Sequence, residues 1–160
     1  MLPPKHLAII PARRNSVGFP FKNRKFFEKK YSFLKKINFF DDIIVSTNDE
    51  FLIKICIKKK ISYLKRKEKF SGPKISIKTV ILNLIKELKL SKDDFIWLFY
   101  IPLIFNSKSD ILKTKKIINS KKISSICGFI ETKKNPFNTW LIKNDKAKQL
   151  IKNDIYRRQD

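Results

Sequence analysis

The sequence predicts an α/β fold built on a mostly parallel, doubly wound sheet. Short apolar runs at residues 7–10, 43–45 and 95–100 are unbroken enough for strands buried on both faces. Between them lie stretches with helical spacing, clearest in Ile77, Val80, Ile81, Leu84, Ile85 and Leu88. The two kinds of segment alternate, which is the pattern of a parallel sheet covered by helices.

Taken in order, residues 7–10 predict a first buried strand, ended by Pro11. Residues 41–47 predict a second, entered by a turn and left at a polar edge. Residues 50–60 predict a helix with Phe51, Leu52, Ile55 and Cys56 on one stripe, behind Thr47-Asn48-Asp49 as a capping region. Residues 61–64 read as a short strand, and 77–88 as an amphipathic helix. Ser91-Lys92-Asp93-Asp94 turns the chain into 95–100, expected to be a central strand. Residues 109–119 read as a helix and 123–130 as another buried strand. The polar segment 146–160 shows no capping or closing element, so the expectation is a single domain over 1–160 that lacks its carboxyl-terminal part. With three glycines for so many turns, Asn, Asp and Lys must occupy several of them.

At 160 residues with 42% apolar composition, the chain can bury a real core. No apolar run is long enough to span a membrane, and the first residues lack the architecture of a signal peptide. Cys56 and Cys127 have no Cys or His neighbours in sequence, which fits two buried thiols in a reducing, cytoplasmic setting. The net charge of +23 raises a nucleic-acid reading. Against it, the excess is lysine scattered through every segment, in a composition rich in Lys, Ile, Phe and Asn that AT-rich codons favour. A dedicated binding face would cluster its charge and use more arginine and stacking aromatics.

The segment after the first strand, Arg13-Arg14-Asn15-Ser16-Val17-Gly18-Phe19-Pro20-Phe21-Lys22-Asn23, is the most informative. A buried strand that delivers a cationic, hydrogen-bonding loop to its carboxyl end is a common way of gripping nucleotide phosphates. Asn15 and Ser16 offer turn chemistry, and Gly18 allows close backbone approach. Lys22 supplies a point charge for phosphate. The alternative is an ordinary strand-to-helix turn with solvated cations. His6, the sole histidine, precedes the first strand and is a poor general base. Ser16, Ser46 and Ser71 lack a companion histidine, which dismisses a hydrolase triad. Trp97 and Trp140 read as core or interface aromatics.

Ile9-Ile10-Pro11-Ala12-Arg13 with Asn15-Ser16-x-Gly18-x-Pro20-x-Lys22-Asn23 resembles the amino-terminal signature of the CMP-sugar synthetases, the acylneuraminate cytidylyltransferases. Residues 43–50 resemble that family's second strand and Ser-Thr-Asp turn. Arg66 before Phe70-Ser71-Gly72 resembles its Arg-Pro…Leu-Ser segment. Asn135-Pro136-Phe137 and Arg157-Arg158-Gln159-Asp160 resemble its His-Pro-Phe and Arg-Arg-Gln-Asp-Leu-Pro boxes. The resemblance implies a Rossmann-like sheet of the nucleotide-diphosphosugar transferase (glycosyltransferase-A-like) type. It implies transfer of CMP from CTP to a sialic-acid-like (nonulosonic) sugar acid, with release of pyrophosphate, for surface polysaccharide. Mg²⁺ would neutralise the phosphates, with ligands beyond residue 160, and the protein would be a homodimer joined after Pro136.

By that resemblance Arg13 and Lys22 contact CTP phosphates and act catalytically. Asn15, Ser16, Gly18, Asn23 and Arg66 hold the nucleotide, while Arg157 and Gln159 face the sugar acid. Arg66 taken alone reads as a surface arginine. The chain also departs from the pattern. Val17 replaces a lysine, and residues 24–40, where relatives open their first helix, are several residues short. The Leu-Gln-Pro-Thr-Ser-Pro-Leu-Arg box is reduced to the apolar residues 98–104. Asp49, Asp154 and Asp160 remain as acidic candidates without evident ligand partners. Two other readings stand beside the enzyme: a basic nucleic-acid-binding α/β protein, and an inactive relative with a structural role.

Overall fold

The structure is a computed structural model that describes residues 3–15, 19–101, 107–120, 123, 125–128 and 139–151. The chain divides into two units, Met1–Lys113 and Thr114–Asp160. In the first, strand β1 (His6–Pro11) leads to helix α1 (Lys22–Lys35), β2 (Asp42–Thr47), α2 (Glu50–Lys58) and β3 (Tyr63–Lys65). A 3₁₀ turn at Glu68–Phe70, helix α3 (Ile77–Glu87) and β4 (Phe95–Leu98) follow. Helix α4 (Lys108–Ser120) runs across the division.

The four strands form one parallel sheet in the order β3-β2-β1-β4. This is a Rossmann-like α/β fold, as expected. The order reverses beside β1, so the carboxyl ends of β1 and β4 flank the position where open α/β sheets form a ligand crevice. Among the described strands β4 lies at an end of the order rather than at its centre, which corrects the expectation for residues 95–100.

β1 is paired on both sides and buried along its apolar length, which is why Leu7 to Ile10 show no polar alternation. Register sets Ile9 opposite Ile44 on one side and Leu98 on the other. Leu7, Ile9 and Ile44 pack with Leu84, and Ile81, Leu88 and Ile96 join them, so α3 buries its stripe on one face of the sheet. Helices α1 and α2 contact β2. At the amino edge of the sheet His6, Phe39, Phe40, Phe95 and Trp97 form an aromatic cluster. There the Trp97 indole N–H donates to His6 Nδ1 (3.1 Å). His6 thus lies at the end of β1 remote from the loop, in a structural role.

Phe21 apart, positive backbone φ among the described non-glycine residues falls on Asn38, Lys60, Lys89, Asn144 and Asp145, so Asn, Asp and Lys do take turns that glycine would. Cys56 is buried on α2, and burial pushes its thiol up to about 11. Cys127 is exposed, which corrects the expectation of two buried thiols. The expected strand at 123–130 is not formed where it is described: residues 125–128 are exposed and carry no ladder. In the second unit a hairpin not foreseen from the sequence joins β5 (Trp140–Lys143) to β6 (Lys146–Gln149), antiparallel. Trp140, Leu141 and Ile142 are exposed on it.

Candidate functional site

The carboxyl ends of β1, β2 and β3 lie side by side, and β2 with the residues after it bonds the start of the loop that follows β1. Ala12 N–H donates to Ser46 O (2.9 Å), carrying the β1–β2 pairing one residue past the strand. Thr47, wholly buried, donates its hydroxyl to Ala12 O. The same hydroxyl oxygen accepts the N–H of Asp49 (3.0 Å). Asp49 then caps α2 by accepting from Phe51 N–H (3.1 Å), so Thr47-Asn48-Asp49 is the capping region the sequence indicates. Next to it, Asn48 Oδ1 accepts Arg14 N–H (2.9 Å), and its amide nitrogen donates to the Glu68 carboxylate.

Arg13 is half-buried, and its carbonyl accepts from the amide of Asn23 (2.8 Å), itself buried in the first turn of α1. Lys22, the first residue of that helix, is half-buried beside it. Asn15 is exposed. Arg13, Lys22 and Asn23 are therefore brought together. Ser16, Gly18, Arg157 and Gln159 lie outside the described residues, as do Asp154, Asp160 and the segment 135–137.

Arg66 differs from the sequence reading. Instead of a surface arginine it is a buried one, 6% exposed, just beyond β3. Its Nη2 donates to Ser46 O (2.8 Å) and its Nε to Ser46 Oγ (3.3 Å). No carboxylate pairs with it among the described residues. Burial, and secondarily the charge of Arg13, hold its pKa down to about 10. It remains charged near neutrality. Two like charges thus converge at the carboxyl ends of β1 and β3, one of them desolvated.

The sequence reading missed Arg24 as a site residue. It grips Asp49 with two parallel bonds, Nε to Oδ2 (2.8 Å) and Nη2 to Oδ1 (2.9 Å), and Asp49 is 1% exposed. The Asp49 bond raises the Arg24 pKa. Its guanidinium also lies over Phe21 (4.7 Å) and Phe51 (5.0 Å). Phe21 starts α1 with φ 56°, a left-handed conformation costing about 1–2 kcal/mol for such a residue. With both Asp49 oxygens taken by Arg24, its carboxylate does not fit a metal site. No group of three potential metal ligands occurs among the described residues.

After β4 the apolar segment continues as it reads in sequence. Phe99 and Ile101 are buried and Tyr100 is exposed. The Phe99 N–H donates to Ile9 O (2.9 Å), so this stretch borders β1. No helix among the described residues is long and apolar enough to cross a membrane.

No family profile matches the chain. Curated relatives do. The chain is 27% identical over 166 aligned positions to an N-acylneuraminate cytidylyltransferase of Streptococcus agalactiae serotype III, covering 98% of this chain and 40% of that protein. It is 28% identical to the protein of the same name from serotype V over the same extent. The chain thus spans about two fifths of the length of these relatives. Weak as the identity is, it runs through nearly the whole chain and supports a cytidylyltransferase-like relationship.

Proposed function

We propose that the chain is a nucleotidyltransferase domain that binds CTP at the carboxyl edge of β1, β2 and β3 and transfers CMP to a nonulosonic sugar acid. The observation that carries this reading is the buried Arg66 beside Arg13, with no carboxylate partner among the described residues. Such a desolvated cation gains most from an anionic ligand, because the low local dielectric strengthens their attraction. In the proposed reaction the anomeric hydroxyl oxygen bonds to the α-phosphorus of CTP. The bond from that phosphorus to the bridging oxygen breaks, and pyrophosphate leaves with the electron pair. Positioning and charge stabilisation do most of such work. Arg13 and Lys22 would meet the phosphates, and Asn23 and Arg66 would orient them. Arg157 and Gln159 are proposed for the sugar acid. Mg²⁺ is proposed to neutralise the charge of the triphosphate. A cytoplasmic homodimer serving surface polysaccharide completes the reading.

A specific observation favours a second reading, an inactive relative with a structural role. The 98–101 stretch, beside β1 at the crevice, carries Leu98, Phe99 and Ile101, none of which can supply a side-chain hydrogen bond to substrate. Calorimetry with CTP and Mg²⁺, followed by an assay for pyrophosphate release with nonulosonic acids, separates the two. Micromolar CTP binding with turnover is expected. Binding without turnover selects the inactive relative, and no binding of any nucleoside triphosphate overturns both nucleotide-based readings.

A further inference from the structure

The bonds at the sheet edge close into a circuit. Ala12 at the end of β1 accepts from Thr47 at the end of β2, and Thr47 accepts from Asp49 N–H. The Asp49 carboxylate accepts both bonds from Arg24 in the first turn of α1, and Asn23 in that turn returns to the carbonyl of Arg13. Arg13 follows Ala12 directly. The circuit therefore ties the residue that opens the loop to the helix turn that closes it, with Lys22 beside the knot. The Arg24 guanidinium is further held between Phe21 and Phe51, which are both well exposed and bury little core. A buried carboxylate with a two-pronged partner is a rigid device, since the fork fixes direction as well as distance.

We propose that Asp49, acting through Arg24, is a positioning residue that sets the separation of Arg13 and Lys22 so that both meet one anionic ligand. The inference rests on the nucleotide-binding reading above. It makes a prediction opposite in sign to simple electrostatics. Replacing Asp49 by Asn removes a negative charge near a site for anions, which by charge alone strengthens binding. Loss of the clamp lets the two cations drift apart, which weakens it. Asn also caps helices as well as Asp does, so α2 keeps its start.

The test is CTP affinity by calorimetry on the 160-residue chain, with thermal melting measured in parallel. Asp49→Asn is expected to weaken CTP binding about tenfold, the usual size of an effect transmitted through one supporting partner. Glu50→Gln makes the same charge change one residue away, at an exposed carboxylate paired with Lys65, and should leave affinity unchanged or slightly higher. The double variant Arg24→Met with Asp49→Asn should bind no worse than Asp49→Asn alone, because both changes break one clamp. Should Asp49→Asn fail to fold, Arg24→Lys keeps the charge but loses the fork, and decides by the same loss of affinity. Unchanged or tighter binding by Asp49→Asn, or by Arg24→Lys in its place, overturns the inference while the nucleotide reading stands. Absence of CTP binding by the parent chain overturns the reading, and the inference with it.

Discussion

A guanidinium buried with no carboxylate partner among the described residues burdens the fold, and under the proposed function it would serve an anion site; Arg66 allows the two effects to be separated. Its bonds go to Ser46, whose carbonyl already accepts from Ala12. Replacing a buried, poorly compensated charge by an apolar side chain of similar length is often neutral or stabilising. Arg66→Met should therefore hold or raise the melting temperature while weakening CTP binding by about tenfold or more, the loss of one charge-assisted contact. A parallel fall in stability with unchanged affinity would make Arg66 a structural residue only. Sequence alone could not place this side chain, because its burial depends on Ser46 in a neighbouring strand. Arg24 was hidden for the same reason: its partner Asp49 lies across the fold, and no local spacing announces the pair.

At the scale of elements, α3 is where the pattern was plainest. Ser76 caps it by accepting from Thr79 N–H (3.2 Å), and its stripe reaches the sheet through Leu84. Leu84→Ala should cost about 2–5 kcal/mol in chemical denaturation, as for other buried leucines. Leu82→Ala, on the exposed side of the same helix, should stay within about 0.5 kcal/mol. Equal effects would mean that α3 docks by another face. Helix α1 was not legible by period because Lys30 occupies a buried position between Phe27 and Leu34 and breaks the apolar stripe. The hairpin was missed because β6 reads as polar, Lys-Ala-Lys-Gln. Its turn was nonetheless written in Asn144-Asp145, both at positive φ as a two-residue type I′ turn requires. Strand β3 sits slightly later than the sequence indicated, since its pairing is fixed by Val45 to Thr47 on β2 rather than by its own short apolar run.

For the whole molecule the charge of +23 is the dominant quantity. The exposed ion pairs Lys59–Glu28, Lys65–Glu50 and Lys67–Glu87 neutralise little of it and each adds at most a small stabilisation. Dispersed lysine predicts a diffuse attraction to polyanions. Duplex DNA should bind at low ionic strength and be released by about 0.2 M salt, as counterion release demands. CTP binding, focused on a partly desolvated pair, should persist there. Tight DNA binding that survives such salt, with no CTP affinity, would favour a nucleic-acid protein instead.

The placement of β1 also orders events in time. Of the four strands of this sheet β1 comes first in the chain, and β2 and β3 lie nearer to it in sequence than β4 does. The other flank of β1 stays open until Phe95 arrives to lie opposite His6. A growing chain therefore carries one unsatisfied strand edge through the making of α3, at a stage when the circuit joining Ala12, Thr47, Asp49 and Arg24 can already have formed. The circuit at the carboxyl ends of β1 and β2 can thus be assembled before the sheet that supports it is complete.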